Sequence, residues 1–179
     1  DYDYSFVGEL SFLNRSEEGQ MSNLTGDVTL SGMTQALAGY YGAAFTDTSD
    51  YYTIIIAGPD YDLDVNYGAS DALMLTLNVT PGSTEGIPSG SYTVVDTSTA
   101  IDFYPNTALS GIYDPTYGGY FGTWFFSTTG KLEASLRGGE VKVTNNGDGT
   151  CVFDISLQDG YGHRVSGSCT VPCRVEDWS

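Results

Sequence analysis

The feature that most limits the fold is a strict alternation of apolar and polar residues late in the chain, broken twice by glycine-rich turns. Glu140-Val141-Lys142-Val143-Thr144 alternates, Asn145-Asn146-Gly147-Asp148-Gly149 turns, and Cys151, Phe153, Ile155 and Leu157 mark one face of the next run. Asp159-Gly160-Tyr161-Gly162 turns again, and residues 164–171 return. Successive side chains of a strand point to opposite faces, so this pattern buries one face of a sheet. Asn, Asp and Gly supply the backbone conformations that tight hairpins require. The spacing predicts a three-stranded antiparallel meander.

Upstream, the same reading gives further strands. Residues 39–45 form a strand with glycine breaks, and the aromatic and β-branched run 51–57 suits a central strand. Leu73, Leu75, Leu77 and Val79 point one way and Met74, Thr76 and Asn78 the other, which predicts a sheet with one buried face. Residues 91–95 and the aromatic run 120–126 are further strands, and residues 106–119 form the longest loop. Nothing longer than a turn at residues 31–37 reads as helix, so a parallel α/β sheet, which needs helical crossovers, is disfavoured. The expected fold is all-β, an antiparallel β-sandwich or partly closed β-barrel of about eight to ten strands. Residues 1–36 are expected to add N-terminal strands or an extension packed on an antiparallel β domain spanning residues 37–179.

Charge narrows the partners. The 179 residues carry a formal net charge of -17, and residues 17–130 contain thirteen acidic side chains but no Lys, Arg or His. Such a surface repels nucleic acid and anionic membranes and attracts cations or basic partners. Fourteen Tyr, eight Phe and two Trp argue for an ordered core instead of an acidic tail. No apolar run approaches the roughly twenty residues of a transmembrane helix. The abrupt start at Asp1-Tyr2-Asp3 reads as a cut or mature N terminus.

Several segments together resemble a recurrent all-β domain of secreted proteins and lipoproteins from gut Bacteroidetes. They are Gly39-Tyr40-Tyr41-Gly42, Ile87-Pro88-Ser89-Gly90-Ser91-Tyr92-Thr93, Gly139-Glu140-Val141-Lys142-Val143, Gly147-Asp148-Gly149-Thr150, Phe153-Asp154-Ile155-Ser156-Leu157 and Gly167-Ser168-Cys169-Thr170. The resemblance covers about residues 37–172. It implies extracytoplasmic placement, secreted or at the outer-membrane surface, with an N-terminal lipid anchor ahead of residue 1. It brings no catalytic residues.

Candidate sites follow from residue chemistry. In a hairpin centred near Tyr161 or Gly160, Cys151 and Cys169 share parity and lie opposite or nearly so, which suits a cross-strand disulfide. A Cys169–Cys173 bridge and three reduced thiols are the alternatives. Asp60, Asp62 and Asp64 alternate and are the candidate calcium ligands, although the twelve-residue calcium-loop pattern is absent. His163 is the sole histidine, and no paired CxxC arrangement points to zinc. A carboxylate pair such as Asp102 or Asp114 beside Tyr104, Tyr117 and Trp124 would suit a glycoside hydrolase, but no pattern selects it. The preferred function is an extracytoplasmic binding module for carbohydrate or an envelope protein, with Tyr113, Asp114, Tyr117 and Tyr120 as its candidate surface. A structural or adhesin-like spacer is the alternative.

Overall fold

The computed structural model describes residues 21–96, 103–116 and 118–179. Among them lie fourteen strands and no helix. In chain order they are β1 (Val28–Thr29), β2 (Gln35–Thr46), β3 (Ser49–Ala57), β4 (Tyr61–Asp62), β5 (Tyr67–Gly68), β6 (Asp71–Val79) and β7 (Gly90–Val95). Then come β8 (Thr107–Leu109), β9 (Ile112–Asp114), β10 (Gly119–Phe121), β11 (Trp124–Ser127), β12 (Leu132–Asn145), β13 (Thr150–Asp159) and β14 (Arg164–Asp177). No helix among these residues is long and apolar enough to cross a membrane.

Ten strands form one curved sheet in the order β1-β14-β13-β12-β7-β8-β6-β3-β2, with β11 bridging β12 and β6. The late meander is β12-β13-β14, as its alternation requires, and all its pairings are antiparallel. β14 is longer than the alternation suggests. After pairing with β13 it continues and runs parallel to β2, from Cys173 opposite Ala36 to Asp177 opposite Tyr40. This seam brings the last strand against the first long one and partly closes the sheet into a barrel. β1 with β14 and β7 with β8 also pair in parallel, so the sheet is mixed.

The barrel interior is the main core. Tyr52, Ile54 and Ile56 of β3, Leu73, Leu75 and Leu77 of β6, and Phe153 and Leu157 of β13 are all buried there. Leu24, Leu30 and Met33 join the same cluster, so residues 21–36 contribute core to the barrel. The expectation of a single buried face on β6 is corrected: Met74, Thr76 and Asn78 are buried as well. The cause is a second layer. Met21, Tyr61, Tyr120, Trp124 and Phe126 cluster on the outer face against Ile55, Ala57, Ala72 and Met74. Residues 106–119 supply part of this cover through β9, which pairs with β10 as a hairpin. The run 120–126 is two strands because Gly122 takes a positive φ of 80° between them. A Cβ at Gly122 would meet Ser110 O at 2.1 Å, so the break needs glycine.

The scarce cations reach back across the fold. Arg164 pairs with Asp27 at 3.2 Å, Arg174 with Asp64, and Arg137 with Asp96. Each joins the late meander to the base-free stretch. The Arg164 backbone N–H and guanidinium hold the Asp27 carboxyl below its ordinary range. As exposed pairs, Arg164–Asp27 and Arg174–Asp64 fix geometry more than they add stability.

Two residues anchor the barrel ends. Trp178 lies over Gly39, where a Cβ would meet the indole Cε3 at 1.6 Å, and the Trp178 backbone N–H donates to Tyr40 O at 2.7 Å. Asp159 organises the β13–β14 turn: Oδ1 accepts the Tyr161 and His163 N–H groups at 2.9 and 2.8 Å. Its Oδ2 accepts Ser22 Oγ–H at 2.6 Å and faces His163 Nδ1 at 3.0 Å. His163, the sole histidine, is thus held by a buried carboxylate. Burial raises the Asp159 pKa, but the Ser22 and His163 hydrogen bonds outweigh it and leave the group below 3.8.

We predict that Gly39→Val displaces Trp178 and costs about 1–3 kcal/mol, as overpacking does, read by urea unfolding. Asp159→Ala should cost about 2–3 kcal/mol, since it orphans several donors. The depressed Asp159 pKa means its contribution is present above the unfolded value of 3.8 and lost as pH falls through the folded value. The difference in stability between wild type and Asp159→Ala should therefore shrink below pH 3.8.

Candidate ligand-binding site

The site follows from a bulge in β2. Tyr40 pairs with Tyr52, but the next partner of Tyr51 is Gly42, so one residue of β2 is extra. Gly42 takes a positive φ of 63° at this point. Tyr40 and Tyr52 stay in the barrel interior, where the Tyr40 hydroxyl donates to the buried Asp50 at 2.5 Å. Tyr41 and Tyr51 then stack on the opposite face with centroids 4.7 Å apart and planes 6° from parallel.

That pair is the middle of a longer row. Phe45 stacks on Tyr51 at 4.4 Å, Phe103 stacks on Phe45 at 5.0 Å, and Trp178 meets Tyr41 edge-on at 5.5 Å. Phe45 is 50% exposed. Beside the row runs a groove of ≈ 220 Å³. Thr53, Met74, Thr76 and Leu109 also line it, as do Tyr120, Phe121 and Gly122 from the β9–β10 side. Phe121 is 43% exposed, so both sides of the groove present accessible rings.

The groove is mainly apolar with a few polar groups. Thr53 and Thr76 face each other across β3 and β6, and the Thr76 hydroxyl donates to Gly122 O at 3.4 Å. Burial pushes the Tyr51 phenol up to about 12. Opposite Tyr51 in the register is Asn78, fully buried. Its Nδ2 donates to Thr107 Oγ1 at 2.8 Å, and its Oδ1 has no hydrogen-bond partner.

The aromatic surface anticipated from sequence is only partly assembled. Tyr113 and Tyr120 are cross-strand partners in contact at 5.1 Å. Tyr120 is buried, packs edge-on against Trp124 and Phe126, and donates its hydroxyl to Glu133 Oε2 at 3.0 Å. Asp114 Oδ1 accepts the Thr116 N–H at 2.8 Å, which caps its own turn. Tyr117 and Asp102 lie outside the described residues. The hairpin is a cover over the outer core, and Tyr120 contributes to the groove from beneath.

The acidic run makes a turn. Asp62 Oδ1 accepts the Asp64 N–H at 2.9 Å and the Val65 N–H at 3.4 Å. Asp64 pairs with Arg174, and the Asp60 backbone N–H donates to Ser70 Oγ at 3.0 Å. Among the described residues, no three His, Cys, Asp or Glu side chains form a group able to hold a metal ion. Cys151 and Cys169 are diagonal neighbours and not directly opposite. The β13–β14 hairpin is centred on Tyr161, not Gly160, so Cys151 faces Val171 and Cys169 faces Phe153.

Comparisons with protein-family models, curated proteins and solved structures found no match.

Four buried or half-buried phenols share a raised pKa of about 12: Tyr40, mainly through its bond to Asp50, and Tyr51, Tyr52 and Tyr92, mainly through burial. A raised folded pKa gives stability that is present below the ordinary value of 10.0 and lost as pH rises through about 12. Absorbance titration at 295 nm should show a late-ionising group near pH 12 that loses one member in Tyr51→Phe.

Proposed function

We propose that the chain is an extracytoplasmic carbohydrate-binding module that takes one sugar ring in the groove between Phe45 and Phe121. The supporting observation is the row of rings beside that groove, in which Phe45 is 50% exposed, together with Phe121 from the β9–β10 side, 43% exposed. Apolar C–H faces of a pyranose pack on aromatic carbon, while its hydroxyls need a few well-placed polar partners. Thr53 and the Tyr51 hydroxyl supply acceptors and donors of that kind. A volume of ≈ 220 Å³ suits a single ring, because pockets for larger ligands run to about 300–1,000 Å³. Further sugar units would lie along the exposed part of the row. The net charge of -17 favours neutral over anionic glycans.

A glycan array followed by calorimetry tests this. Neutral glycans should bind, and Phe45→Ala and Phe121→Ala should each weaken binding about tenfold, an aromatic contact being worth about 1.4 kcal/mol. Both rings are substantially exposed, so Tm should change little. Absence of glycan binding, or binding indifferent to both substitutions, would overturn the reading.

A further inference from the structure

We propose that Cys151 and Cys173 form a disulfide that staples β13 to the seam half of β14, leaving Cys169 as the free thiol. In the structure all three cysteines are thiols. The sequence left two other pairings open, and the register discriminates among the three. Cys151 lies opposite Val171, so Cys169 and Cys173 are its diagonal neighbours on either side. The ladder continues past Cys151, with Cys173 N–H donating to Gly149 O at 2.9 Å. That bond holds Cys173 beside the start of β13.

The two diagonals differ in surroundings. Cys151 and Cys173 are both buried in the barrel interior and line one crevice of ≈ 120 Å³ with Ile87 and Asn145. Cys169 lines a separate crevice with Leu30 and Gly167. The Cys173 thiol beside it lowers the pKa of Cys151, and the Cys151 thiol and burial raise that of Cys173, so Cys151 is the thiol that ionises first. Burial pushes the Cys169 thiol up, and its hydrogen bond comes from the backbone of Phe153. A disulfide needs its two Cα atoms within about 7 Å, and diagonal neighbours on paired strands sit at about 7–8 Å, so forming the bridge draws the end of β14 slightly toward β13.

The chemistry is an exchange with a small disulfide, RSSR. The Cys151 thiolate attacks one sulfur of RSSR and expels RS⁻. Cys173 then gives up its proton and attacks Cys151 Sγ, expelling the second RS⁻. Two protein thiols lose two electrons and two protons, and RSSR becomes two RSH. The crevice beside Gly147 and Gly149 is the route of approach. The bridge closes the loop 152–172 and pins the residue that faces Ala36 at the start of the seam.

Oxidation with 2-hydroxyethyl disulfide, alkylation after denaturation and non-reducing peptide mapping test the pairing. The expected result is alkylation at Cys169 alone and a linked peptide pair containing Cys151 and Cys173. The oxidised protein should melt about 5–10 °C above the reduced one, as closing a loop of this length implies. Cys169→Ser should keep that shift, and Cys173→Ser should lose it. Three alkylated cysteines, any bond to Cys169, or a shift retained in Cys173→Ser would overturn the proposal. Comparing reduced with oxidised wild type needs no substitution and stands if a variant fails to fold.

Discussion

The parallel seam between β2 and β14 is the contact on which the rest of the fold depends. Without it, the sheet would end in two long edges, each with a row of unpaired backbone groups. With it, β2 gains a second paired neighbour, the end of β14 is covered, and Tyr52, Ile54 and Leu75 gain an enclosed space to fill. Trp178 locks the end of the seam by lying on Gly39, which has no side chain to obstruct it. The same indole touches Tyr41, so closure of the barrel and order in the aromatic row are mechanically joined.

The outer face shows how a β protein covers a wall twice. Alternation along β6 reports the inner face faithfully, since Leu73, Leu75 and Leu77 are all fully buried. It misleads about the outer face, because small covers from distant parts of the chain bury Met74 and Asn78 as well. The groove is the place where this cover stops short. Tyr41, Phe45 and Tyr51 come to it from β2 and β3, and Tyr120 and Phe121 from the β9–β10 hairpin.

Local pattern made the late meander readable in sequence, because alternation and turn chemistry there point to the same register. The seam was not readable, since nothing local tells residues 173–177 that their partner is residues 36–40. Cysteine pairing turned on a single residue in the centre of a hairpin, a precision that Asp-Gly-Tyr-Gly does not supply by itself. The alternating carboxylates of residues 60–64 are legible in the sequence, but their partners are not. In three dimensions Asp62 is spent on backbone N–H groups and Asp64 on Arg174. The aromatic site was missed because the doubled tyrosines 40–41 and 51–52 each place one ring inside and one outside. The signal was present in those pairs and in the glycine that follows Tyr41.

The order of synthesis gives the seam a temporal meaning. β2 emerges from the ribosome long before β14, so its open edge waits through the production of more than half the barrel. Contacts between such remote segments form slowly, and exposed edges invite association with other chains. The base-free stretch covers this waiting period: a nascent chain through residue 130 carries thirteen acids from Glu17 onward with no cation among them. Mutual repulsion keeps such unfinished chains apart. The arginines that settle against Asp27, Asp64 and Asp96 arrive with the strands that end the exposure.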